Sequence, residues 1–158
     1  MGVDGPAPHE DPAIEILSGT LGDGLEWKVT CGWQAADPPA PEGNLSTHLD
    51  VRRNGKRVLS SGFEGPPLYP DSPVNEWRGT SRDLPYFVMV RAHPSIDQVI
   101  AVTGRGNEIE LALTAVVPEF ELRFACAALP KGEDPGVLLF AKRGEEPRVL
   151  RTPPPPGR

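Results

Sequence analysis

Punctuation constrains this chain most. Short runs of alternating apolar and polar residues are broken, again and again, by clusters of Gly, Pro, Asn and Asp. Several short strands at regular spacing with turn signals between them make an all-β sandwich or barrel. The fold class predicted is an antiparallel β-sandwich, immunoglobulin-like in architecture. A flexible N-terminal arm (1–12) and a Pro-rich C-terminal tail (152–158) flank a single domain over 13–151.

At 158 residues the chain can bury one core. Hydrophobic residues make up 38% and aromatics 6%, so that core is aliphatic and modest. Acidic residues outnumber basic ones, 22 to 16, and the basic ones are scattered. Binding to nucleic acid or to an anionic membrane needs clustered Lys and Arg, so neither is expected. Met1 to Pro12 is polar and proline-bearing, without the apolar stretch of a signal peptide. With no apolar run of membrane-spanning length, the expectation is a cytoplasmic protein without membrane insertion.

A strand starts near Ala13; a short helix capped at Asp11-Pro12 is the alternative, but Ser18-Gly19-Thr20 would end it within two turns. After the Gly22-Asp23-Gly24 turn, Trp27, Val29, Cys31 and Trp33 share one strand face, and Glu26, Lys28 and Thr30 the other. Residues 34–44 are a Pro-rich loop. Leu45, Thr47, Leu49 and Val51 alternate with Ser46, His48, Asp50 and Arg52 up to Asn54-Gly55, a strong hairpin signal because its turn needs positive φ twice. Pairing Arg53 with Lys56 sets Val51 against Val58 and Leu49 against Ser60.

Residues 62–85 lack periodicity and read as one long loop; such loops are usually functional or disordered. Tyr86 to Val90 is apolar on both faces, as suits a central strand, and Arg91, His93 and Pro94 end it. Val99–Thr103 and Ile109–Val117 form a hairpin. Phe120, Leu122, Phe124 and Cys126 give the apolar face of the next strand. Val137–Lys142 is a last core strand and Val149-Leu150 an edge. Cys31 and Cys126 read as buried free thiols, with a disulfide between sheets as the alternative.

The opening S-G-T-L-G-D-G-x-x-W (Ser18 to Trp27), the strand V-x-V-x-A-x-P (Val88 to Pro94) and F-A-C-A-A-L-P (Phe124 to Pro130) together resemble single-domain all-β proteins of unknown function of the high-GC actinobacterial type. The resemblance covers residues 14–143. It rests on turn and core residues, so it implies a fold and no chemistry.

No G-x-S-x-G, metal-ligand spacing or nucleotide motif is present, and no cofactor is implied. His48 and Asp50 share the outward face of their strand; with His93 they offer a hydrolytic or metal-dependent reading, against which stands ordinary exposed polar alternation. Glu108 and Glu110 read as a solvated sheet face, and Arg52, Arg53, Lys56 and Arg57 as a solvated turn or an anion contact. Gly104-Arg-Gly-Asn lacks the helix N-terminus that makes such loops bind phosphate. The 62–85 loop carries Tyr69, Trp77, Arg78, Arg82 and Asp83, residue types that form binding hot spots; alternatively, Tyr69 and Trp77 plug the end of the sandwich. The leading expectation is a non-catalytic module that binds a protein partner through this loop. The alternatives are a small hydrolase or metal-dependent enzyme, and a structural subunit of a larger assembly.

Overall fold

The computed structural model describes residues 12–35 and 43–150. The arm (Pro12 apart), the tail and the middle of the 34–44 loop lie outside them. The described residues form eleven strands and no helix: β1 (Ile14–Thr20), β2 (Leu25–Gln34), β3 (Asn44–Arg53), β4 (Lys56–Gly65), β5 (Val74–Gly79), β6 (Phe87–Ala92), β7 (Ile96–Thr103), β8 (Glu108–Leu111), β9 (Arg123–Ala128), β10 (Pro135–Lys142) and β11 (Arg148–Val149). Every ladder is antiparallel, so the all-β antiparallel class holds. No helix long and apolar enough to cross a membrane occurs among the described residues. The chain divides into two compact units, Met1–Pro67 and Leu68–Arg158.

The first unit is a meander in the order β1-β2-β3-β4. Val29, Cys31, Leu45, Thr47, Leu49 and Val51 are buried on one face, as their alternation requires. Asn54 (φ 51°) and Gly55 (φ 83°) take the positive φ angles of the tight hairpin turn. Beyond that turn the expected register is corrected. Arg53 does pair with Lys56, but Val51 pairs with Leu59 and Leu49 with Ser61. A bulge leaves Val58 as the extra residue. It brings Leu59 and Phe63 onto the face of Val51 and Thr47; an unbroken ladder would have turned both away.

The second unit is a sandwich of two sheets, β5-β6-β9 and β11-β10-β7-β8. Its core joins Val74, Val88, Val90 and Ala125 of the first sheet to Val99, Ala101, Leu111, Leu138 and Phe140 of the second. β6 is central and buried throughout, as its two-sided apolar sequence requires; it also runs through Arg91 to Ala92, past its expected end.

Two further expectations are corrected here. The stretch 62–85 is not a single loop, since it holds the end of β4 and all of β5. The strand expected over Ile109–Val117 stops at Leu111. Past that point Thr114 is held by β9: its carbonyl accepts from Arg123 Nε at 2.8 Å, and its backbone N–H donates to Phe124 O at 2.8 Å.

All three tryptophans lie over glycines. A Cβ on Gly19 would meet the Trp27 indole, one on Gly43 the Trp33 ring and one on Gly79 the Trp77 ring. Each bare backbone is thereby covered by an aromatic plane. Both cysteines are free thiols. Cys31 Sγ lies 3.4 Å from Thr47 Oγ1, and burial pushes the Cys126 thiol up to about 12.

Candidate functional site

The hot-spot residues expected on 62–85 do not form one surface. Trp77 and Arg78 are neighbours on β5, so they leave it on opposite faces. Trp77 pairs with Met89 and is half-buried over Gly79. Arg78 pairs with Val88 on the inner side of the sandwich. There it grips Glu76 (Nε–Oε2 3.0 Å, Nη2–Oε1 3.2 Å) and donates to the Gly136 carbonyl of β10 at 2.7 Å. Arg82 and Asp83 sit in an exposed turn closed by Leu84 N–H to Ser81 O, with Asp83 at φ 64°. Tyr69 is exposed at 36%, and Asn75 accepts from its backbone N–H.

The residues of the enzymatic alternative are all engaged locally. Asp50 is not the exposed group its alternation suggested; it is 6% exposed. Its carboxylate accepts from Arg52 Nε at 2.8 Å and from Arg57 Nε at 2.7 Å. Burial opposes its ionisation, but the hydrogen bonds and charges of the two arginines outweigh that and hold it below the ordinary carboxylate value. Arg52 and Arg57 are cross-strand partners, so both guanidinium groups stand on the sheet face of Asp50. His48 Nε2 lies 2.8 Å from Ser60 Oγ in the first unit, and His93 Nδ1 lies 2.7 Å from Ser95 Oγ in the second. Because Ser95 N–H donates to His93 Nδ1 at 3.0 Å, that nitrogen is an acceptor. Among the described residues no three His, Cys, Asp or Glu side chains gather as a metal cluster.

A shallow groove of about 320 Å³ lies on the polar face of the first unit, lined by Glu15, Ser18, Glu26, Lys28, Asp50 and Arg52 among others. Its lining mixes both charges and shows no preference for one ligand sign. In the second unit, hydrogen bonds from Thr103 and Asn107 hold Glu133 below the ordinary carboxylate value; Asn107 Nδ2 to Glu133 Oε2 is 2.6 Å. That network ties two turns together.

The outer face of the β11-β10-β7-β8 sheet is different. Cross-strand partners point to the same side of a sheet. One row across it is therefore Val149, Leu139, Ile100 and Glu110, and the next is Val137, Val102 and Glu108. The opposite face carries Leu138, Phe140, Val99 and Ala101 in the core. Five aliphatic side chains thus stand together on the outward side, with Val137 exposed at 46% and Val149 at 53%. The acids are confined to the β8 edge, where Glu110 accepts from Gln98 Nε2 at 3.5 Å. Around the other edge the surface continues into a groove of about 610 Å³ between Pro70–Pro73 and Phe140, Arg148, Val149 and Leu150. Arg148 stands over the Phe140 ring there, 5.2 Å from its centroid.

This face was missed from sequence, although a signal existed. Val99–Val102 and Val137–Ala141 are unbroken apolar runs, which describe strands with both faces apolar. The first unit shows the contrast: Glu26, Lys28, Ser46, His48, Asp50 and Arg52 occupy its second face.

No family model, curated protein or solved structure matches this chain.

Proposed function

We propose that this chain is a non-catalytic protein-interaction module. One observation carries the proposal: the outward face of the β11-β10-β7-β8 sheet is apolar where a solvated face should alternate polar residues. A sheet apolar on both sides gains by being covered on both. The stretch nominated from sequence contributes at one rim, where Pro70–Pro73 borders the groove beside Val149. A structural subunit of an assembly would use the same face. The hydrolytic reading has weaker support, since His48, Asp50 and His93 are each committed to neighbours.

A photo-crosslinking amino acid at Val137, with Lys28 on the first unit's polar face as control, tests this in native extract. Discrete protein adducts should form at position 137, be suppressed by excess wild type, and be lacking at position 28. Equal adducts at both positions, or none at either, would refute the proposal.

A further inference from the structure

We infer that the outer edge of β4 pairs with β4 of a second copy of this chain. The two strands run antiparallel about a two-fold axis at Ser61, perpendicular to the sheet. Two four-stranded sheets thereby join into one of eight. This surface belongs to the first unit and is independent of the outer strip of the second.

Among the described residues β4 pairs with β3 alone, so it closes its sheet on one side. With ten residues it is the longest edge strand of the three sheets. The backbone N–H and C=O groups along such an edge are a template for another strand. Charge says which strand fits. Lys56 and Arg57 stand at the start of β4 and Glu64 near its end, all exposed. An antiparallel copy sets start against end, so β4 is complementary to itself, as an isologous contact requires.

The pleat then fixes the register. Facing residues must leave the sheet on the same side, so the axis passes through a residue and not between two. The partners on β3 assign the sides. Arg57, Ser60, Gly62 and Glu64 lie with Arg52, Asp50, His48 and Ser46; Leu59, Ser61 and Phe63 lie with Val51, Leu49 and Thr47. With the axis at Ser61, Leu59 meets Phe63 of the other copy and Ser60 meets Gly62. Because Val58 is the extra residue of the bulge, Arg57 and Val58 together oppose Glu64. An axis at Ser60 would set Phe63 against Lys56. One at Gly62 would set Phe63 against Ser61 and Glu64 against Ser60. The Ser61 register alone satisfies both the apolar and the charged pair.

The bond Arg57 already makes does not cancel this attraction. Asp50 holds its Nε at 2.7 Å, yet the Arg57 side chain is 58% exposed, and a guanidinium carries further donors. One acid shared by Arg52 and Arg57 leaves a net positive charge at this end. At the other end the row of Glu64 continues through Ser46 and Gly32, both uncharged. Symmetry makes the Arg57–Glu64 contact twice in each dimer.

Sedimentation equilibrium of the full chain, from about 5 μM to about 1 mM, should show a reversible monomer–dimer equilibrium. Glu64→Lys sets like charges together at both ends; it should raise the dissociation constant about tenfold, with the circular dichroism unchanged. Ser61→Cys reads the axis. Facing Cβ atoms lie about 4.5–5.5 Å apart, within reach of a disulfide. Under mild oxidation this variant should form a covalent dimer much faster than Lys28→Cys, an exposed position two strands from the edge. Should Ser61→Cys fail to fold, Glu64→Lys, at an exposed residue, still decides. Wild type that stays monomeric throughout overturns the inference, as does Ser61→Cys that crosslinks no faster than Lys28→Cys. A dimer unmoved by Glu64→Lys but dissociated by Val137→Glu also overturns it, and assigns self-association to the outer strip. A dimer weakened by Glu64→Lys and unmoved by Val137→Glu supports the β4 edge, whatever position 137 captures.

Discussion

Arg78 on β5 donates to the carbonyl of Gly136 on β10 across 2.7 Å, tying the two sheets of the second unit together at their open side. The same guanidinium grips Glu76, whose side chain is only 7% exposed. Removing Arg78 therefore strands a nearly buried carboxylate and frees a carbonyl. Arg78→Ala should cost about 1–3 kcal/mol in urea unfolding. Arg78→Lys should recover less than half of that, because an ammonium cannot replace a planar fork that serves two acceptors at once. A neutral Arg78→Ala would show that the clasp is ornamental.

Asp50 makes stability fall in acid. Its pKa is depressed in the folded protein by Arg52 and Arg57. A depressed carboxylate adds stability that is fully present above the unfolded value, about 3.9, and is lost as pH falls through the lower folded value. Unfolding followed from pH 7 to pH 2 should show this loss begin below about pH 4 in wild type. In Asp50→Asn that share of the acid dependence should vanish, with stability at pH 7 lower by about 1–3 kcal/mol. An unchanged acid limb would remove the Arg52–Asp50–Arg57 cluster as its source.

The sequence was legible where a local rule acts alone. Asn54-Gly55 fixed a turn because few other dipeptides tolerate its angles, and the two-sided apolar Phe87–Val90 run fixed a central strand. Legibility failed where a distant partner decides. The bulge at Val58 is a choice between two faces for Leu59 and Phe63, which local alternation does not register. β5 is broken up in sequence by Asn75, Glu76 and Arg78, polar groups paid for by Ser72, by each other and by Gly136. For the candidate site, hot-spot residue types drew attention to 62–85, while the plain aliphatic runs at 99–102 and 137–141 carried the unusual surface. Composition marks a sticky residue; only pairing shows which side of the sheet it occupies.

The two thiols should be inert in the native state. Cys31 is fully buried, and burial lifts Cys126 to about 12, so its thiolate is scarce at neutral pH. An aromatic disulfide reagent at pH 8 should react with neither until denaturant is added, and then with both. Rapid labelling of Cys31 in the folded protein would place it at a surface the structure does not give it, and rapid labelling of the partly buried Cys126 would mean that its thiol is not held up by burial.

Trp27 and Gly19 offer a test of aromatic cover. A Cβ built on Gly19 comes within 2.7 Å of the indole ring, a side chain too bulky to yield without turning. Gly19→Ala should displace the ring into solvent, shift the tryptophan emission to the red and cost about 1–3 kcal/mol, the usual range for overpacking. Gly55→Ala fills open space but sits at φ 83°, so it should cost about 1 kcal/mol through backbone strain and leave the emission unchanged. Matching spectra for the two variants would mean that the indole is not packed on Gly19.

The sharpest check on the two faces of β10 comes from neighbouring residues. Val137 is 46% exposed and Leu138 1% exposed, although nothing in their chemistry separates them. Leu138 lies in the core with Phe140, Val99 and Ala101. Leu138→Ala should cost about 2–5 kcal/mol, the lost burial plus the cavity it leaves. Val137→Ala removes a side chain half in water and should stay within about 1 kcal/mol of wild type. A charge sharpens the contrast: Leu138→Lys should abolish folding, because an unpaired ammonium cannot be held in that core, whereas Val137→Lys should fold and be more soluble at high concentration. If the two lysine variants were equally stable, β10 would not present the faces its pairing with β7 assigns, and the outward apolar strip would lose its physical basis.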